Sequence, residues 1–224
     1  MGVEIKFCGL TRADDARVAL SLGAAYLGFI LAPSPRRLTL EQGAALLASL
    51  DAGATAPPAR RARRVGVVAG ADVRSIVQAV DTLGLDVVQL HGVDDERLVP
   101  ALRAATRAQL WSVVHVGADG VDEKRLTSAA RADGVVLDAK VDGVLGGTGR
   151  AFDWARVARA VDPFRGGRPI ILAGGLRPDN VARAIALFAP DVVDVSSGVE
   201  AAPGCKDPAR MRAFADAVHG AGGR

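Results

Sequence analysis

Apolar residues along this chain fall into two alternating patterns. Short, near-continuous apolar runs are bounded by turn residues, and each is followed by a longer Ala- and Leu-rich stretch in which apolar positions recur with helical period. The short runs are EIKFC, YLGFIL, RVGVV, DVVQL, LWSVVHV, GVVLD, PIILA and VVDVS. The helical stretches that follow them are Thr11 to Leu22, Leu40 to Leu50, Asp72 to Leu83, Asp94 to Ala105, Val121 to Ala132, Trp154 to Val161, Asn180 to Ala189 and Pro208 to Val218. Thr11 is the candidate cap of the first helix. Strands that are apolar on both faces belong in a parallel sheet covered by helices. Eight strand–helix pairs within 224 residues predict an α/β fold in which residues 1–224 form one single-domain (β/α)8 TIM barrel. The competing open sheet carries GxGxxG after its first strand, whereas EIKFC is followed by Gly9-Leu10-Thr11.

Composition narrows what such a barrel does. Half the residues are apolar, enough for a sizeable core, and 28 basic side chains nearly balance 25 acidic ones. With aromatics at 4%, no stacking surface for nucleic acid is expected. The excess arginine gathers in ATAPPARRARR, residues 54–64, so residues 51–64 are expected to be a Pro/Arg-rich surface loop on the rim away from the active face. Cys8 and Cys205 stand near opposite ends without CxxC spacing, which gives neither a disulfide framework nor a zinc site and suits a reducing, cytoplasmic setting. No basic segment leads into an apolar core near the N-terminus, and no apolar stretch reaches the roughly 18 residues of a membrane span, so neither export nor a membrane partner is expected. His91, His115 and His219 show no HxH or HExxH spacing, and the expectation is no metal.

In a barrel of this kind, polar residues at the C-terminal ends of strands share one mouth. By that rule Cys8, Gln89, His91, Asp138, Asp194, Ser196 and Ser197 face a common site. Two loops there suit phosphate: LAGGLRPDN, with Gly174-Gly175 after the seventh strand, and DVSSGVE, with Ser196-Ser197-Gly198 after the eighth. A third glycine-rich loop, VDGVLGGTGRAFDW at residues 141–154, suits a flap over substrate. Taken singly these residues have plainer readings. A buried cysteine is usually an inert packing residue, the standing expectation for Cys205, and a lone Asp138 serves equally well as a cap or an ion-pair partner.

Taken in order, KFCGLT, SPRRLT, VVQLHG, VLDAK, GGTGRAFDW, LAGGL-PDNV, VDVSSGVE and PGCKD resemble the motif series of the phosphoribosylanthranilate isomerases, over residues 6 to 207. That resemblance implies a cofactor-free Amadori rearrangement of N-(5'-phosphoribosyl)anthranilate in tryptophan biosynthesis, with a small phosphorylated molecule as the partner and a monomer or homodimer as the working form. On this chain it makes Cys8 the general base and Asp138 the general acid. Arg36 becomes the ligand of the anthranilate carboxylate, with Arg37 as the alternative from a different alignment of the loop. Gly174, Gly175, Ser196, Ser197 and Gly198 become the phosphate clamp, and Gln89, His91 and Asp194 line the pocket. A thiol base near neutrality needs local positive potential, and an aspartate acid needs removal from water or a neighbouring negative charge. Two other readings stand beside this one: a phosphate-binding barrel with another isomerase or lyase reaction, and a dual-specificity aminoaldose isomerase also serving histidine biosynthesis. The second predicts another glycine pair after strands three and four, where VVAGAD and LHGVDD each offer one glycine.

Overall fold

A computed structural model of the chain describes residues 2–52, 62–92, 97–117, 120–139, 154–165 and 167–221. Strands β1 (Glu4–Phe7), β2 (Tyr26–Ile30), β3 (Arg63–Val68), β4 (Val87–Leu90) and β5 (Gln109–Gly117) are each followed by a helix. These helices are α1 (Ala13–Ser21), α2 (Leu40–Ala52), α3 (Val73–Leu83), α4 (Leu98–Ala105) and, after the two-residue strand β6 (Gly120–Val121), α5 (Glu123–Ala129). Strands β7 (Gly134–Ala139), β8 (Ile170–Ala173) and β9 (Val192–Val195) alternate with α6 (Trp154–Val161) and α7 (Val181–Phe188). A small hairpin of β10 (Glu200–Ala202) and β11 (Cys205–Lys206) precedes α8 (Pro208–Ala221).

Eight strands run parallel in the order β1-β2-β3-β4-β5-β7-β8-β9, and the pairing of β9 with β1 closes the ring. The closed (β/α)8 barrel expected from the alternating pattern is therefore present. No described helix is long and apolar enough to cross a membrane.

Period-2 alternation sorts the strand side chains into two populations. Ile5, Phe7, Leu27, Val135, Leu137, Leu172 and Val193 face outward into the main core beneath the helices. Tyr26, Val65, Val87, Trp111, Val136, Ile171 and Val192 form a separate cluster inside the ring. Trp111 fills much of that interior, with its ring 4.9 Å from Tyr26 in an edge-to-face contact. Gly134 on the neighbouring strand makes this possible, because a Cβ there would lie 2.6 Å from Trp111 Cδ1.

Several boundaries differ from the sequence pattern. Thr11 does not cap α1: the helix begins after Arg12, and the Thr11 hydroxyl donates instead to the Gly204 carbonyl, tying the first loop to the β10–β11 hairpin. The expected loop over 51–64 is too long at both ends. Asp51 and Ala52 complete α2, and Arg63 and Arg64 open β3, where the Arg64 guanidinium meets both Asp51 oxygens at 2.7 Å and its backbone N–H donates to Asp86 at 2.7 Å. Two residues of the arginine run thus belong to the sheet, Arg64 paired with Asp51 and Arg63 lying over the Tyr26 ring, and residues 53–61 lie outside the described residues. The fifth helix starts at Glu123 rather than Val121, capped by the Asp122 carboxylate, because Gly120–Val121 turn back to pair antiparallel with the end of β5. The flap expected at 141–154 lies outside the described residues except for Trp154 at the start of α6.

Candidate active site

Strands β1, β4, β7 and β9 and the loops after β2, β8 and β9 open onto one cavity of about 320 Å³. Its lining includes Cys8, Gln89, His91, Asp138, Gly174, Gly175, Asp194, Ser196, Ser197 and Gly198. The strand-end rule thus brings every one of those expected residues to the same place. Cys8 and Asp138 stand on strands separated around the ring by β8 and β9, so they face the cavity from different walls.

The wall that carries Cys8 is buried and dense with charge. Cys8 lies two residues after Lys6, so both side chains point into the barrel. Lys6 is fully buried, with its ammonium 2.6 Å from Asp194 Oδ2 and donating to Gln89 Oε1 at 3.0 Å. Burial opposes that charge, but Asp194 and Cys8 outweigh it and hold Lys6 above the ordinary lysine value. The positive potential that a thiolate needs is therefore built into the floor of the site. Burial nevertheless dominates at Cys8 itself. It pushes the thiol up, further assisted by the Asp194 charge, and the opposing pull of Lys6 and Lys206 does not cancel it. The cations beside Cys8 thus offset part of the effect of burial without reversing it. Gly28 on β2 makes room for the side chain: a Cβ at that position would sit 2.8 Å from Cys8 Sγ.

Beside Cys8 lies an ion-pair network that sequence reasoning did not assign. The Arg36 guanidinium engages Glu200 in a two-pronged contact, Nε to Oε1 at 2.7 Å and Nη2 to Oε2 at 2.5 Å. Buried Lys206 donates to Glu200 Oε1 at 2.8 Å and to the Ser196 carbonyl at 3.1 Å. Burial alone favours a neutral Glu200, but Arg36 and Lys206 hold its carboxyl below the usual range. Both unassigned residues lay in quoted motifs, Glu200 in VDVSSGVE and Lys206 in PGCKD; a buried lysine paired across a hairpin has no local periodic signal. Arg36, the expected carboxylate ligand, is not among the residues lining the cavity; it lies beside that wall, its side chain packed over Gly9, which has no side chain of its own. A Cβ on Gly9 would meet Arg36 Cδ at 2.6 Å and Ser196 Oγ at 2.9 Å. Arg37 is exposed and lines a separate groove with Thr11, Gln42 and Leu46 on the outside of the barrel.

The two glycine-bearing loops meet each other. Gly174 and Gly175 both adopt positive φ, at 90° and 62°, which their residue type permits. Asn180 pins the first loop, donating to the Gly175 carbonyl at 3.0 Å and accepting from the Arg177 N–H at 2.7 Å. Gly198 on the second loop comes so close that a Cβ would lie 1.9 Å from the Leu176 carbonyl oxygen. Among the described residues, the buried atoms Ser196 Oγ and Asp194 Oδ1 have no hydrogen-bond partner. Buried polar atoms normally find one, so both are natural contact points for a polar ligand.

The opposite wall holds Asp138, His91 and His115. Asp138 at the end of β7 is about one-third exposed, and its Oδ2 lies 3.4 Å from His115 Nδ1 on β5. The His91 and His115 rings meet edge-to-face with centroids 5.1 Å apart. Partial burial, reinforced by His115, lowers His91 below the ordinary histidine value despite Asp138. Sequence spacing separated these histidines; the barrel joins them because β4, β5 and β7 are successive neighbours in the ring.

The chain is similar to a set of known proteins along almost its whole length. The family model described as N-(5'phosphoribosyl)anthranilate (PRA) isomerase matches residues 5–217. The N-(5'-phosphoribosyl)anthranilate isomerase of Geobacillus thermodenitrificans is 40% identical over 211 residues, covering 94% of this chain and 91% of that one. Among solved structures, the phosphoribosyl anthranilate isomerase of Thermotoga maritima superposes with a TM-score of 0.77 at 32% identity, covering 97% of this chain and 99% of the other. A second phosphoribosyl anthranilate isomerase structure, in complex with reduced 1-(o-carboxyphenylamino)-1-deoxyribulose 5-phosphate, matches with a TM-score of 0.77 at 30% identity and the same coverage.

Proposed function

This chain belongs to the N-(5'-phosphoribosyl)anthranilate isomerase family, and from that premise we infer that it catalyses the cofactor-free Amadori rearrangement of N-(5'-phosphoribosyl)anthranilate to 1-(2-carboxyphenylamino)-1-deoxyribulose 5-phosphate in tryptophan biosynthesis. The observation that carries the reading is the placement of Cys8 and Asp138 on different walls of one cavity that also contains both glycine-bearing loops.

In this mechanism the phosphate end of the substrate docks on Gly174 and Gly175 and on Ser196, Ser197 and Gly198, where the buried Ser196 hydroxyl gains its partner. Asp194 Oδ1 accepts from a sugar hydroxyl while Oδ2 stays with Lys6, and Gln89 and His91 line the sugar. Arg36 holds the anthranilate carboxylate, already oriented by Glu200; its planar fork suits a two-point contact, and Arg37 points away from the cavity. Asp138 donates a proton to the ribose ring oxygen, and the ring opens to a Schiff base. Cys8 then removes the C2' proton, and the enolamine collapses to the ketone. Since Asp138 is partly exposed, the bound sugar is what excludes water from it. Lys6 stabilises the thiolate form of Cys8 during the second step, against the burial that disfavours it.

The partner is thus a small phosphorylated molecule. The two unpaired cysteines, which are free, support a reducing, cytoplasmic setting for an enzyme working as one barrel domain, as a monomer or homodimer. The direct test is the fluorescence decay of phosphoribosylanthranilate generated in place from anthranilate and phosphoribosyl pyrophosphate. Wild type is expected to consume it rapidly, and Cys8→Ser and Asp138→Asn each to lose about 10²–10⁴-fold in kcat. A folded but inactive wild type overturns the substrate assignment; near-normal turnover by either variant overturns the acid–base pair.

A further inference from the structure

The Asp138 wall holds three groups that the isomerisation uses only in part. His91 follows β4, His115 lies on β5 and Asp138 is near the end of β7, and one donor atom from each lies within 4.8 Å of the others. His115 Nδ1 and Asp138 Oδ2 are 3.4 Å apart. Metal–ligand bonds of about 2.0–2.2 Å at a tetrahedral angle place neighbouring donors about 3.4 Å apart, so this pair already has the spacing of two ligands on one ion. The His91 ring stands edge-to-face against the His115 ring, and its donor nitrogen within that 4.8 Å makes it the third member of the set. His91 and Asp138 also line the cavity, which leaves the fourth position open to water from that side. Two imidazoles and one carboxylate suit zinc and its neighbours in the first transition row rather than magnesium or calcium, which take oxygen ligands.

We propose that His91, His115 and Asp138 form a binding site for a single Zn²⁺-class divalent ion at the cavity mouth, and that occupancy inhibits the enzyme by converting Asp138 into a metal ligand with no proton to donate. No bond of the substrate is made or broken in this state; the ion replaces the acidic proton of Asp138 and releases it to solvent. The inhibition half rests on the isomerase reading, whereas the binding half does not.

The test uses the full chain. Zn²⁺ binding is measured by calorimetry, and Co²⁺ binding by its visible ligand-field absorption, in wild type, His115→Ala and Cys8→Ser. One ion per chain is expected, with tetrahedral cobalt bands and no thiolate charge-transfer band. Affinity falls about tenfold or more in His115→Ala and holds in Cys8→Ser. In the turnover assay, zinc silences wild type and a chelator restores it, while His115→Ala, measured against its own zinc-free rate, escapes at the same zinc concentration. Absence of binding at micromolar zinc, equal affinity in wild type and His115→Ala, or loss of binding in Cys8→Ser overturns the site. Binding through His115 without inhibition overturns the second half alone. An apo wild type with no isomerase activity overturns the functional reading and the inhibition half together, and the calorimetry still decides the site.

Discussion

The two walls of the cavity are built on different principles. The Cys8 wall carries two ion-pair networks, Lys6 with Asp194 and Arg36 with Glu200 and Lys206, and the buried thiol lies beside both. The Asp138 wall is a partly exposed carboxylate beside two imidazoles, where the described residues show an ion-pair contact of 3.4 Å and one ring contact. The comparison teaches where preorganisation is needed. On the proposed mechanism, the group that removes a carbon-bound proton is held in a fixed electrostatic frame before substrate arrives. On the same mechanism, the group that delivers a proton is partly exposed, so that water can reload it between turnovers.

The largest test of that contrast is stability. Lys6→Met leaves Asp194 buried without its partner and is expected to cost about 3–5 kcal/mol of unfolding free energy. His115→Gln on the Asp138 wall is expected to change it by no more than about 0.5 kcal/mol. Comparable losses by chemical denaturation in the two variants would break the distinction. Next in size is Glu200→Gln, which keeps a hydrogen-bonding group but takes the charge from Arg36. A loss of about 1.5–3 kcal/mol in kcat/KM, carried chiefly by KM, is expected if Glu200 aims Arg36 at the substrate carboxylate. A pure kcat effect would instead place Glu200 in the proton-transfer step. Gly28→Ala forces a methyl against the thiol and is expected to cost about 1–3 kcal/mol of stability together with turnover; a wild-type-like variant would show the Cys8 wall to be looser than described. The finest test is pH. Burial holds the Cys8 thiol above its ordinary value, so the thiolate fraction grows as pH rises, and kcat/KM is expected to climb through neutrality into the alkaline range. A profile flat down to mildly acidic pH would remove Cys8 as the base.

The ring of strands was legible in the sequence because both of its periodicities are local. An apolar strand and an amphipathic helix each announce themselves within a dozen residues, and the strand-end rule then brings Cys8, Gln89, His91, Asp138, Asp194 and the glycine loops to one cavity without further information. What escaped was the pairing between distant residues. Lys6 reads as a lone charge in an apolar strand, although its two-residue offset from Cys8 already puts both on the inner face. Glu200 and Lys206 gain meaning only when Arg36, far away in the chain, is brought over Gly9. The three groups at the cavity mouth belong to three strands whose adjacency is a property of the closed ring, so no spacing in the sequence marks them. Thr11 was misread for the reverse reason: a plausible local cap lost its hydroxyl to a hairpin nearly two hundred residues later.

The closure of β9 against β1 also sets an order of events during synthesis. Cys8 is among the first residues made, yet the Lys6–Asp194 pair beneath it joins positions 188 apart, and the residues that orient Arg36 follow later still. A ribosome-bound chain therefore carries Cys8, the proposed base, for most of translation without the frame around it. Long-range closure of this kind is slow relative to local helix formation. Chains released before β9 lack Asp194 and the Ser196–Gly198 loop, so on the proposed reading a prematurely terminated product is expected to be inert rather than partially active.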